Sequence, residues 1–216
     1  MKNTEISIGG HSWEELQEDY ESGRTPKHPD IPENTPYFEA REDLWKYCLK
    51  KCSLASGLYA EFGVGTGYSI NWFAKRLHQK IIHGFDSFNG LPEDFTPWFL
   101  KGCFREDASK LSFENNVVIH PGMFEETLPK FSQEIVEEGV FSFVHIDSDL
   151  YSSAKTIFDT LGRAIVSGTV LVFDEYHSYV GWHLQGFKAF EEFCCERNMG
   201  YKWLGWSAFQ AGFEMR

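Results

Sequence analysis

The chain has 216 residues, 42% hydrophobic and 17% aromatic, enough to bury a sizeable core and too apolar to be disordered. Its formal net charge is −12, which argues against a nucleic-acid substrate, since phosphate binding needs a basic face. No apolar run approaches a membrane span, so neither nucleic acid nor membrane is expected as a partner.

Met1–Glu5 does not read as a secretory leader, so none is expected, and it leads into Ser12-Trp13-Glu14-Glu15, which has the form of a capping box opening a short acidic helix to about Ser22. Residues 23–36 hold four prolines and read as a loop. Thr35-Pro36 suits an N-cap and first helical position, predicting a helix over Tyr37–Lys51 with Phe38, Leu44, Trp45 and Leu49 inward. Residues 1–57 are therefore expected to form an N-terminal helical segment, either a lid or a plain packing layer, and residues 58–216 the main domain. The five cysteines include no CxxC pair and read as reduced thiols of a cytoplasmic protein.

Leu58–Val64 is an apolar strand running into Gly63-Val64-Gly65-Thr66-Gly67. Tyr68–Leu77 has helical spacing, and Lys80–Phe85 is a second strand ending in Asp86. Strand, glycine turn, helix, strand and acid make the first half of a nucleotide-binding sheet. The glycines let a ligand approach the main chain, and Asp86, about twenty residues on, can accept from a ribose diol. A dinucleotide fingerprint would need glycine at position 68, where Tyr68 stands. The spacing instead suits S-adenosylmethionine, although a dinucleotide or a turn that binds nothing stays open.

Asn-Gly and Leu-Pro mark a turn at residues 87–93, and Asp107–Ser112 reads as a short helix after an aromatic loop. Asn116–His120 is a third strand. Glu125–Pro129 is expected to be a turn and Lys130–Glu138 a helix. Phe141–Ile146 is a fourth strand, Ser152–Val166 a helix, Thr169–Phe173 a fifth strand and Leu184–Asn198 a helix. Tyr201–Trp206 and Ala208–Met215 are joined too tightly to be anything but antiparallel. The expected fold is α/β, doubly wound, with a seven-stranded, mostly parallel sheet and a C-terminal antiparallel hairpin.

Ligands bind beyond the carboxyl ends of strands in such sheets, and acids gather there: Asp86, Asp147 with Asp149, and Asp174 with Glu175. Clustered acids persist most readily with a cation. Asp147, Asp174 and Glu175 could supply three oxygen ligands to Mg²⁺ or another divalent ion. The alternative is that acids of this set cap the helices that follow, as Asp147 and Asp149 would just before Ser152–Val166. His145 reads as a hydrogen-bonded core residue, while His177 and His183 lie in a loop near any substrate. Trp98, Trp182 and Trp206 would suit stacking on a sugar or flat acceptor, with core packing the commoner role.

Taken in order, Glu61-Phe62-Gly63-x-Gly65, Gly84-Phe85-Asp86-Ser87-Phe88-x-Gly90-Leu91-Pro92, Gly122-x-Phe124-x-x-Thr127-Leu128-Pro129, His145-Ile146-Asp147-x-Asp149-x-Tyr151 and Phe173-Asp174-x-Tyr176 resemble the macrocin O-methyltransferase family. Its members methylate sugar hydroxyls of macrolide and aminocoumarin antibiotics. The resemblance runs from about Leu58 to Tyr176. It implies that Glu61, Gly63, Gly65, Ser69, Asp86, Ser87 and Asp147 hold S-adenosylmethionine, with Met123 or Phe124 lining the adenine. It also implies Mg²⁺ on Asp147, Asp174 and Glu175, with Asp149 as general base toward a small hydroxylated acceptor. It leaves a homodimer open. The family commonly shows two aspartates where this chain has Asp174-Glu175, and the chain looks shorter before the first strand. A nicotinamide-dependent oxidoreductase and a non-catalytic binding module are the rival readings.

Overall fold

A computed structural model of the chain describes residues 6–135 and 139–216. Seven strands form the central sheet: β1 (Leu58–Phe62), β2 (Ile82–Asp86), β3 (Val117–Pro121), β4 (Phe141–Ile146), β5 (Val170–Phe173), β6 (Tyr201–Ser207) and β7 (Gln210–Met215). Their order is β3-β2-β1-β4-β5-β7-β6, parallel through β5, with β7 antiparallel to both β5 and β6. This is the predicted doubly wound sheet with its terminal hairpin. The order reverses between β1 and β4, so the ends of those two strands flank the crevice where ligands bind.

Strand periodicity divides the core. Ala60, Phe62, Val144, Ile146, Leu171 and Phe173 face one layer, packed by α4 (Phe124–Glu134), α5 (Tyr151–Leu161) and α6 (Gly186–Arg197). Their neighbours Tyr59, Phe143, Val170 and Val172 face the other, covered by α2 (Arg41–Leu49) and α3 (Tyr68–Ala74). Each fully buried Phe or Leu here contributes about 1.5–3 kcal/mol, so the sheet is the rigid part on which the loops are mounted.

The N-terminal segment follows the sequence reading in part. Ser12 caps α1 (Trp13–Glu21) in a capping box with Glu15. A two-residue hairpin, Ser7–Ile8 with His11–Ser12, precedes it, turned by Gly9 and Gly10 at positive φ. Ile8, Trp13 and Leu16 pack with Val180 and Leu184.

The expected helix from Tyr37 begins only at Arg41, and Thr35-Pro36 caps nothing. Residues 36–38 instead run along the sheet edge: Phe38 N–H donates to the Trp206 carbonyl and Trp206 N–H to the Pro36 carbonyl. An unpaired edge strand outcompetes the local cap by offering ladder bonds. Glu125–Pro129 is not a turn but part of α4, where Pro129 sits inside the helix and Leu128 and Phe131 are buried. Burial of those two side chains outweighs the single hydrogen bond that Pro129 forfeits. The last residues of the expected helix, 136–138, lie outside the described residues, as do Met1–Glu5.

Candidate active site

Gly63 is the first residue past β1. It has φ +90°, and a Cβ there would stand 1.6 Å from the Asp147 carbonyl oxygen. Only glycine lets the ends of β1 and β4 approach so closely. Gly65, at φ +49°, has open space where its side chain would be. Beyond these ends lies a cavity of about 470 Å³.

Of the predicted site residues, Gly63, Gly65, Ser69, Asp86, Ser87, Met123, Asp147, Asp149, Asp174 and Glu175 all line this cavity. Glu61 does not. It is 1% exposed, accepts from the Ser69 hydroxyl at 3.0 Å, and lies 3.0 Å from His145 Nδ1. Glu61 thus fixes a cavity-lining serine from behind. Burial holds its carboxyl above the usual range, with His145 opposing that shift.

Asp86 is also engaged. Its Oδ2 accepts from the Val64 and Gly65 N–H groups, each at 2.8 Å, and its Oδ1 from Phe88 N–H at 2.7 Å. The acid that ends β2 therefore shapes the glycine turn that follows β1. Three of about four lone-pair directions are used, leaving room for one further donor.

The acids past β4 and β5 crowd together. Ligand atoms of His145, Asp147 and Asp174 lie within 4.8 Å of one another, and so do those of Asp147, Asp149 and Glu175. The expected trio of Asp147, Asp174 and Glu175 is thus divided between two overlapping groups that share Asp147. Burial, reinforced by Asp174, Asp149 and Glu61, pushes the Asp147 carboxyl well above its usual range. Burial and the neighbouring Asp174, Asp149 and Asp147 do the same to Glu175. Asp149 is pushed up to about 6, mainly by burial. Its φ is +58°, a left-handed conformation that Asp tolerates better than most residues and that turns the chain sharply between β4 and α5. Among the described residues, buried Glu175 Oε2 and His145 Nε2 find no hydrogen-bond partner. Oxygen-rich, mutually repelling and incompletely satisfied, this donor set fits a divalent cation.

Several residues escaped the sequence reading. Gln210, at the start of β7, donates to Asp174 and accepts from Trp45 Nε1 at 3.0 Å. No local motif marks it; only the antiparallel register of β5 with β7 places it there. Arg41 lines the cavity with its guanidinium 3.8 Å from Asp174. The signal was available: Arg41 is four residues before Trp45 and shares its helix face. Phe104 also lines the cavity and is half-exposed. By contrast, none of Trp98, Trp182, Trp206, His177 and His183 is among the lining residues. Trp182 is buried and donates to the Pro26 carbonyl, and His177 packs edge-on against Trp206. Both serve the packing of the loop after β5.

The model of a methyltransferase-domain family matches residues 60–176. The chain belongs to that family. The match runs from within β1 to just past β5, the part that carries the glycine turn and the acids. A search of curated proteins gave no match. Among solved structures, the chain is similar to the calicheamicin methyltransferase CalS11, at 20% identity and TM-score 0.67, over 81% of this chain and 79% of that one. It is similar to the O-methyltransferase NovP at 16% identity and TM-score 0.66, over 81% and 78%. It also resembles the mycinamycin-pathway methyltransferase MycE, in complex with Mg and S-adenosylhomocysteine, at 15% identity and TM-score 0.50, over 81% of this chain and 45% of that one. These likenesses show a shared fold. No helix among the described residues is long and apolar enough to cross a membrane.

Proposed function

We propose that the protein transfers a methyl group from S-adenosylmethionine to a hydroxyl of a small molecule, a sugar or another compound with neighbouring hydroxyls, at a divalent-metal site. The observation that carries this reading is the cavity itself: the glycine turn with the Asp86 bonded to it and the clustered acids Asp147, Asp149, Asp174 and Glu175 line one and the same space. The kinship with macrocin-type sugar O-methyltransferases belongs to the same proposal. It is supported by the fold neighbours, whose names concern calicheamicin and mycinamycin pathways.

Gly63 and Gly65 leave the main chain open to the cofactor, and Met123, which lines the cavity and follows Gly122 bonded to the Asp86 carbonyl, is where an adenosine would lie. Asp147, Asp174 and Glu175 would hold Mg²⁺, with Gln210 donating a hydrogen bond to Asp174. When bound, such an ion lowers the pKa of a hydroxyl that it touches. Asp149 takes the hydroxyl proton. Its pKa near 6 leaves it ionised at neutral pH yet basic enough to accept a proton, which matches a general base to its working pH. The oxygen gains the methyl as the sulfonium loses it, and S-adenosylhomocysteine leaves.

The test is a methyl-transfer assay over sugars with and without a vicinal diol, run for the wild type and Asp149→Asn, with Mg²⁺ and with chelator. The expected result is transfer only to diols, lost on chelation, and about 10²-fold or more slower in the variant. Equal turnover by Asp149→Asn removes Asp149 from the role, and full activity under chelation removes the metal.

A further inference from the structure

The reading of S-adenosylmethionine as cofactor leaves one of its charges without a place. Its sulfonium and α-ammonium groups are cations and suit an acidic cavity. Its α-carboxylate is an anion, and it must enter a cavity lined, among the described residues, by eight Asp and Glu side chains and a single basic one, Arg41. The end of the glycine turn, where Thr66 also lines the cavity, offers only neutral donors. Helix α3 has only seven residues, its N-cap is Gly67 with no side chain, and the Ser69 hydroxyl already donates to Glu61.

Arg41 is built to meet an anion. Its guanidinium carbon lies 5.1 Å from the Trp45 ring and 5.3 Å from the ring of Tyr68, the first residue of α3. Both aromatic faces hold a cation in place without using its N–H groups. Its two ionic neighbours, Glu42 at 3.6 Å and Asp174 at 3.8 Å, are farther than a normal hydrogen bond. The planar fork of donors is therefore left for a ligand, and a carboxylate matches it two bonds at a time. Tyr68 is itself steadied by its hydroxyl bond to Glu42 at 2.9 Å, so helix α2 and the glycine turn are joined at this corner.

We infer that Arg41 binds the α-carboxylate of the cofactor. The N-terminal segment then contributes directly to the cofactor site and is more than a cover over it. Loss of Arg41 weakens recognition of the amino-acid end and leaves recognition of the adenosine end untouched.

Two nucleosides separate these ends. S-adenosylhomocysteine carries the amino acid, whereas 5′-methylthioadenosine keeps the adenosine and thioether and lacks it. Both would be titrated calorimetrically into the wild type, Arg41→Met and Arg41→Lys, each first checked by thermal melting. The inference predicts that Arg41→Met binds S-adenosylhomocysteine about 10- to 100-fold more weakly, the range expected for a charge-assisted bidentate contact. Arg41→Lys falls in between, and methylthioadenosine binds all three alike. Unchanged S-adenosylhomocysteine affinity in Arg41→Met overturns the inference and leaves Arg41 as a counter-ion to Asp174. Equal losses for both nucleosides also overturn it, because the substitution would then have disturbed the cavity as a whole. If the wild type binds neither nucleoside, the cofactor reading itself fails, which is a different result from either of these.

Discussion

Asp149→Asn should make the empty protein more stable while it cripples turnover. Asp149 stands at a left-handed backbone position, where Asn is as acceptable as Asp, so the substitution leaves the turn between β4 and α5 intact. What it removes is a carboxyl held at about 6 instead of 3.8, chiefly by burial. The sign follows from proton binding. Between pH 3.8 and 6 the folded state keeps a proton that the unfolded state has released, so wild-type stability falls as pH rises through that window and stays lower above it. At about 1.4 kcal/mol per pH unit, the rise from 3.8 to about 6 amounts to at most about 3 kcal/mol. For a chain of this length that corresponds to a melting temperature higher by up to about 10 °C. The assay is thermal melting of both proteins from about pH 4 to pH 8 with chelator present, because a bound cation would neutralise the same charge. The Tm difference should be small at about pH 4, open toward pH 6 and then stay constant. A difference that does not change with pH, or a variant less stable than wild type at neutral pH, refutes the claim that Asp149 is held in an unfavourable charged state.

Two glycines of one turn should behave differently. Gly63→Ala drives a methyl group into the Asp147 carbonyl and should cost at least about 3 kcal/mol in urea unfolding; a loss under about 1 kcal/mol would mean that the ends of β1 and β4 can part. Gly65→Ala has open space and should cost only about 1–2 kcal/mol for its left-handed backbone, yet lose cofactor affinity because the methyl group projects into the cavity. Glu61→Ala leaves the Ser69 hydroxyl and His145 Nδ1 without their partner and should cost about 1–3 kcal/mol, whereas Glu61→Gln, which can still hydrogen-bond, should cost less. Equal stability of the two Glu61 variants would mean that these bonds contribute nothing.

The sheet was legible because its signals are local. Apolar runs ending in glycine or acid recur from Leu58 to Phe173, and the short link between Tyr201 and Met215 forces the hairpin. The acids lining the cavity were legible for the same reason: each stands at or just past the end of a strand, where a single topological rule applies. What escaped were residues whose role depends on pairing across the chain. Glu61 looks like a ligand contact in sequence, but strand alternation and its pairing with His145 on β4 turn it inward. Gln210 reaches Asp174 only through the register of β7, 36 residues away. Pro36 and Tyr37 read as a helix start until the open edge at Trp206 is known, and Pro129 reads as a breaker until the burial of Leu128 and Phe131 is known. Arg41 was visible as a helix-face neighbour of Trp45, but its partner, the glycine turn, lies across the fold.

The central claim is that the glycine turn, Asp86 and the acids beyond β4 and β5 form one site for S-adenosylmethionine and a divalent metal. Calorimetric titration of the purified protein with S-adenosylhomocysteine, with and without Mg²⁺, tests it most directly. The account predicts one-to-one binding in both conditions, with Mg²⁺ itself titrating into the complex. Absence of binding in either condition would contradict it, and with it the assignment of the cavity as a cofactor site.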